Sequence, residues 1–186
     1  MSSSETANPD KELTAAVKTG DSEAFQQLYF RYAEPLFGFL WRRLSQRELA
    51  EDLVQELFAK VWRNRANLDP NQSIKAYLYQ AANNLMIDHL RRKNPDLGAV
   101  EVMPEHSTVE VDETRFEKRD QIQKALADLP DAQRNVFLLS RFEGLKYGEI
   151  AAVMNISVKT VETHMNRALK KLRHQLRALL ALLFWG

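Results

Sequence analysis

LKYGEIAAVMNISVKTVETHMNRALKKL, from Leu145 to Leu172, reads as a short helix, a tight turn and a second, basic helix. Tyr147 to Met154 carries apolar Ile150, Ala151, Val153 and Met154 at helical spacing. Asn155 follows, the residue type that after glycine best tolerates a left-handed helix end. Ile156 is then placed to drop into a core. Ser157 is placed to cap the next helix, its hydroxyl accepting a bond from an otherwise unpaired backbone N–H. At about 100° per residue, Val158, Val161, Met165, Ala168, Leu169, Leu172 and Leu176 share one face of that helix. The opposite face collects Lys159, Thr160, Thr163, Asn166, Arg167 and Lys170, whose side chains bond phosphates and base edges. A charged face alone says little, since most surface helices have one. The turn and cap ahead of it make this the arrangement that sets a helix into a DNA major groove.

Working outward, a chain of 186 residues, 45% of them hydrophobic, holds one substantial core or two small ones. It has no cysteine, and His89, His106, His164 and His174 lack the spacings of zinc sites. No metal site, catalytic constellation or cofactor is expected. The beginning, MSSSETANPDKE, is polar with no apolar signal core, which predicts a cytoplasmic protein. The net charge of +1 conceals an asymmetry. Arg115 to Gly186 holds 13 Lys and Arg against 7 Asp and Glu, whereas Asp96 to Thr114 holds six acids and no Lys or Arg. One segment attracts nucleic acid and its neighbour repels it.

Helical periodicity recurs from Leu13 to Arg92 and from Phe116 to Leu183, with no sustained alternation between. The fold class expected is all-α, in two small bodies. The stretch between them opens with Asn94-Pro95 and Gly98 and contains Pro104, which predicts an extended tether and a boundary near residues 94 to 115.

In the first body, Gly20-Asp21-Ser22-Glu23-Ala24-Phe25 reads as a helix end followed by a capped start. The helix Glu48 to Trp62 buries Leu49, Leu53, Val54, Leu57, Phe58 and Val61, leaving Asp52, Gln55, Glu56 and Arg63 on its other side. The helix Ile74 to Lys93 carries Tyr77, Tyr79, the pair Asn83-Asn84 and the basic end Arg91, Arg92, Lys93. Aromatics beside a basic run suit a single DNA strand, stacking on its bases and tracking its phosphates. Two plainer readings stand beside this one: the tyrosines belong to the core, and the basic end complements the helix dipole.

Taken together, AEDLVQELFAKVW, IKAYLYQAANNLMIDHLRR, the acidic tether and LPDAQRNVFLLSRFEGLKYGEIAAVMNISVKTVETHMNRALKKL resemble the extracytoplasmic-function (ECF) group of bacterial RNA polymerase sigma factors, over about residues 10 to 177. The resemblance implies a disordered N-terminus over 1–9, sigma region 2 over 10–94, an acidic linker over 95–115, the region 4 helix-turn-helix over 116–177 and an apolar tail over 178–186. It implies that Asp52, Gln55 and Glu56 dock on the coiled coil of the polymerase β′ subunit. It implies that Asn83, Asn84, Arg91, Arg92 and Lys93 serve the minus-ten element, with Asn84 capturing a flipped base. Lys159, Thr160, Thr163, Asn166, Arg167 and Lys170 would read the minus-thirty-five element, and the second body's apolar surface would meet the polymerase β flap. The linker acids would imitate nucleic acid in the polymerase's RNA path, or serve as a soluble spacer. The partners expected are core RNA polymerase, promoter DNA and an anti-sigma factor, with no small-molecule substrate.

The last motif is also similar to the LuxR-type helix-turn-helix, so the rival reading is a free-standing regulator that binds DNA without polymerase. That rival leaves Asp52, Gln55, Glu56 and the Asn83-Asn84 segment without a task. An enzyme built on Glu162 and His164 is disfavoured, because residues two apart on a helix do not face each other. The apolar tail is short of the roughly 20 residues that span a bilayer. It is expected to pack back on the second body, or to meet a regulator, another copy or a membrane surface.

Overall fold

The computed structural model describes residues 9–44, 46–93 and 124–185, with side chains through residue 175. Its elements are helices, with no strand among the described residues, as expected for an all-α chain. Two units emerge, Met1–Glu105 and His106–Gly186. The acid run of residues 96–114 lies outside the described residues, as does the N-terminus through residue 8.

The first unit holds α1 (Pro9–Lys18), α2 (Ser22–Leu44), α3 (Arg47–Arg63), a 3-10 turn (Arg65–Asn67) and α4 (Ile74–Lys93). Gly20 adopts φ +96°, a left-handed conformation that ends α1 without a Cβ penalty. The Asp21 carboxylate then accepts the N–H groups of Glu23 at 2.9 Å and Ala24 at 3.1 Å, capping α2 as the sequence predicts. Asp10 clips α1 to α2, pairing with Arg31 at 2.5 Å and accepting the Tyr32 hydroxyl. The core is Leu28, Leu36 and Leu40 from α2, Leu57 and Val61 from α3, and Leu78, Tyr79 and Met86 from α4. The α3 periodicity is realised: Leu53, Val54, Leu57, Phe58 and Val61 are buried, while Leu49 is half-buried.

In the second unit, residues 124–127 form a helical turn ahead of α5 (Asp131–Arg141), α6 (Tyr147–Met154) and α7 (Val158–Trp185). Ala125, Leu129, Ala168 and Leu172 pack together, with Leu126 and Phe137 against them. Val136, Leu139, Ile150, Val153, Val161 and Met165 complete the buried set. Two expectations need correcting. Val158 is 45% exposed, because α7 meets its neighbours from Val161 onward and its first turn stands outside the core. Ile156 is half-buried rather than a core residue. The backbone of the apolar tail continues α7, which runs unbroken to Trp185. Among the described residues, no helix is long and apolar enough to cross a membrane.

The turn between α6 and α7 follows the residue chemistry. Asn155 sits at φ 54°, ψ 46° in the left-handed region, and Ser157 Oγ accepts the Thr160 N–H at 3.1 Å. Asn155→Ala is therefore expected to cost about 1–2 kcal/mol in urea unfolding. Asn155→Gly should remain near the parent.

Candidate nucleic-acid interface

Three surfaces carry the chemistry expected from the sequence, and each is the outer side of a helix whose inner side is core. On α7, Lys159, Thr163, Asn166, Arg167 and Lys170 are exposed and Thr160 is half-buried. Lys170 lies eleven positions beyond Lys159, a rise of about 16 Å along one side of the helix. The two threonines are already engaged locally. Thr160 Oγ1 shares a hydrogen bond with Ser157 Oγ at 2.7 Å, and Thr163 Oγ1 donates to the Lys159 carbonyl at 2.9 Å. Lys159, Arg167 and Lys170 are the long side chains of this row, and Asn166 is its amide. Glu162 is exposed and His164 half-buried, so this helix brings no acid–base pair together there.

On α4 the structure separates residues that the sequence grouped. Tyr79 is fully buried and meets Phe39 edge-on at 5.2 Å, whereas Tyr77 is 40% exposed. Asn83 and Asn84 part in the same way. Asn84 is exposed; Asn83 is 5% exposed and accepts a hydrogen bond from Arg43 Nη1 at 2.9 Å. The two amides expected together as DNA contacts are thus split between the inner and outer sides of the helix, as neighbours about 100° apart can be. Arg91, Arg92 and Lys93 are exposed, and Arg92 Nε donates to the Asp88 carbonyl at 3.3 Å, the capping of a helix C-terminus. Reading the exposed positions along α4 gives Tyr77, Gln80, Asn84, Asp88 and Arg91, spaced by three and four. Gln80 was missed from sequence although the spacing from Asn84 identifies it.

On α3, Asp52 and Gln55 are exposed and Glu56 half-buried. Glu56 pairs with Lys60 at 2.9 Å. That bond from Lys60 holds the Glu56 carboxyl below the usual carboxylate range, with the charges of Lys60, Arg92 and Arg63 acting in the same direction. Beside this face lies a feature that sequence reasoning missed, a groove of about 420 Å³ lined by Ser22, Phe25, Tyr29, Gln55, Phe58, Ala59 and Trp62. Phe25 meets Trp62 at 4.9 Å and Tyr29 meets Phe58 at 4.8 Å. Phe58 is buried and also lines the groove, a double position that periodicity alone does not show.

Comparison with known proteins agrees with this geometry. Residues 28–95 match the model of Sigma-70 region 2, and residues 119–172 that of Sigma-70, region 4. The chain is 32% identical over 187 residues to the ECF RNA polymerase sigma factor SigW of Bacillus subtilis, covering 91% of this chain and 97% of the relative. It is 30% identical to the RNA polymerase sigma-H factor of Pseudomonas aeruginosa, covering 94% and 97%. Among solved structures it is similar to CnrH in complex with the cytosolic domain of CnrY, at TM-score 0.62 and 26% identity, covering 92% of this chain and 99% of the other. The fold is also that of the sigma factor RpoE of Bartonella quintana in complex with the anti-sigma factor NepR, at TM-score 0.63 and 23% identity, covering 82% and 96%.

Two helical bodies, one presenting a helix-turn-helix and the other an amide-and-aromatic face, define a promoter-recognition factor. The chain belongs to the sigma-70 family of RNA polymerase sigma factors, in its ECF group. It binds core RNA polymerase and promoter DNA and directs promoter recognition; the free-standing regulator is not favoured, because a region 2 body accompanies the helix-turn-helix. This is not a family of catalysts.

Proposed function

We propose that this sigma factor reads its promoter with two helices and docks with a third. The α7 face Lys159, Asn166, Arg167 and Lys170 reads the minus-thirty-five element, with Thr160 and Thr163 as shorter-range contacts. The α4 face serves the minus-ten element: Asn84 takes the edge of a flipped base, Tyr77 and Gln80 flank it, and Arg91, Arg92 and Lys93 hold phosphates. An amide can read both a donor and an acceptor on a base edge once the partner strand is gone, which suits a melted segment. Asp52, Gln55 and Glu56 on α3 dock on the polymerase, and the adjoining aromatic groove extends that face. The observation that carries the reading is the outward orientation of Asn84 on a helix whose neighbours Tyr79 and Asn83 are buried.

Opening the duplex belongs to the polymerase complex that this chain enters, in the cytoplasm, and the chain itself performs no bond chemistry. CnrH is held by the cytosolic domain of CnrY, and a protein regulator of that kind is proposed here too.

Reconstitution tests the reading. Core polymerase with this chain, transcribing a library of random upstream sequences, is expected to enrich two short elements at a fixed separation. Enrichment of one element, equally strong without polymerase, would instead support a free-standing DNA-binding protein.

A further inference from the structure

The last turn of α2 ends on two arginines with opposite fates. Arg42 is exposed, whereas Arg43 is 8% exposed, at a position where a basic side chain would ordinarily extend into water. Its guanidinium lies over the Phe39 ring, 4.9 Å from the centroid, and Nη1 donates to Asn83 Oδ1 at 2.9 Å. Phe39 in turn packs edge-on against Tyr79 at 5.2 Å. Tyr79 and Asn83 are one turn apart on the inner side of α4. The same piece of α2 therefore grips α4 at two successive turns, once by ring contact and once by a directional hydrogen bond.

Burying a guanidinium is expensive, and burial pushes Arg43 down to about 10. A well-packed apolar pair in the same space would support the fold at least as well. What an apolar pair lacks is direction. Packed methylenes tolerate a small slide or rotation of one helix on another, whereas a charged N–H donating to one amide oxygen at 2.9 Å is directional and resists it. Because adjacent residues differ by about 100° around a helix, holding Asn83 inward holds Asn84 outward.

We propose that Arg43 is a positioning residue for base recognition: its buried bond to Asn83 sets the rotation of α4 that presents Asn84 to the flipped base. The proposal rests on the reading of Asn84 given above. Arg43 touches no DNA itself. It acts through the orientation of the helix that does, and it leaves the docking face on α3 untouched.

The test uses the full chain assembled with core polymerase on forked DNA randomised in the non-template strand of the minus-ten element. Counting bound sequences gives a base preference at each position. Asn84→Ala is expected to erase preference at one position, which locates the base it reads. Arg43→Met combined with Asn83→Leu should fold with a melting temperature close to the parent's and co-elute with polymerase, yet lose about tenfold in preference at that position, the scale of one good amide–base pair. Undiminished preference there would overturn the positioning role. Should the pair not fold, Arg43→Met alone carries the same test, because it keeps an unbranched stem and removes the donor to Asn83; parental preference in that variant would overturn the role. Asn83→Asp keeps an acceptor oxygen in place and is expected to retain preference, and a loss as large as that of the apolar pair would count against the proposal. If Asn84→Ala alters no position, the base-capturing reading fails and the role of Arg43 falls with it. That pattern differs from one in which Asn84 matters and Arg43 does not.

Discussion

Lys159→Glu together with Arg167→Glu is expected to lower transcription from promoters that depend on a minus-thirty-five element by at least about 100-fold, while co-elution with core polymerase persists. Both residues are exposed on α7, so the fold has no stake in them. Each good bidentate base contact is worth about 1–3 kcal/mol of discrimination, and each phosphate contact adds a salt-dependent share. Two lost contacts at the low end give about 2 kcal/mol, and reversing two charges adds repulsion from the phosphates. Salt titration sharpens the test. If both side chains neutralise phosphates, the slope of log affinity against log salt should flatten by about 2. Run-off transcription within threefold of the parent would remove this face from DNA reading.

Tyr79→Ala is expected to cost the first unit about 3–5 kcal/mol, the usual penalty for emptying an aromatic site in a core. Tyr79 is fully buried between α2 and α4, and its ring has Phe39 as an edge-on partner. Domains of this size have only about 5–15 kcal/mol in total, so a large part of the stability goes with one ring. Hydrogen exchange of the α4 amides should report it directly. Tyr77→Ala, two residues away and 40% exposed, is expected to leave exchange unchanged. It should instead weaken binding of forked minus-ten DNA by about 1–3 kcal/mol if a base stacks on the ring. A reversed pattern would mean that Tyr77, and not Tyr79, faces the core.

These tyrosines also show how far the sequence could be read. The two-body all-α plan, the limits Tyr147–Met154 and Ile74–Lys93, the left-handed Asn155 and the Ser157 cap are all local in cause, set by periodicity and by single-residue chemistry. Such causes are visible in a string of letters. The rotation of α4 is not local. Its apolar periodicity is weak because Tyr77, Tyr79, Asn83 and Asn84 blur the two sides, so Asn83 was grouped with Asn84. Arg43, forty positions earlier, holds one amide inside. Pro35 makes a similar point. Proline inside a helix removes a backbone donor and commonly ends or bends the helix. Yet α2 runs from Ser22 through Pro35 to Leu44, because its buried face, Leu28, Tyr32, Leu36, Phe39 and Leu40, packs on both sides of the proline. The aromatic groove beside Gln55 was hidden for the same reason: it is made jointly by α2 and α3.

The proposed docking through Asp52, Gln55 and Glu56 on α3 matters most, since promoter reading by a sigma factor takes place within a polymerase complex. The decisive measurement is gel-filtration co-elution of the chain with bacterial core RNA polymerase, beside Asp52→Arg with Glu56→Arg. Both side chains lie on the outer side of α3, and Glu56 already sits against Lys60, so reversal changes the surface while leaving the core intact. The account predicts that the parent chain co-elutes with the enzyme and the double variant elutes alone with unchanged helicity. Co-elution of both would contradict docking through this face, and failure of the parent to bind polymerase, with promoter DNA still bound by the chain alone, would contradict the account as a whole.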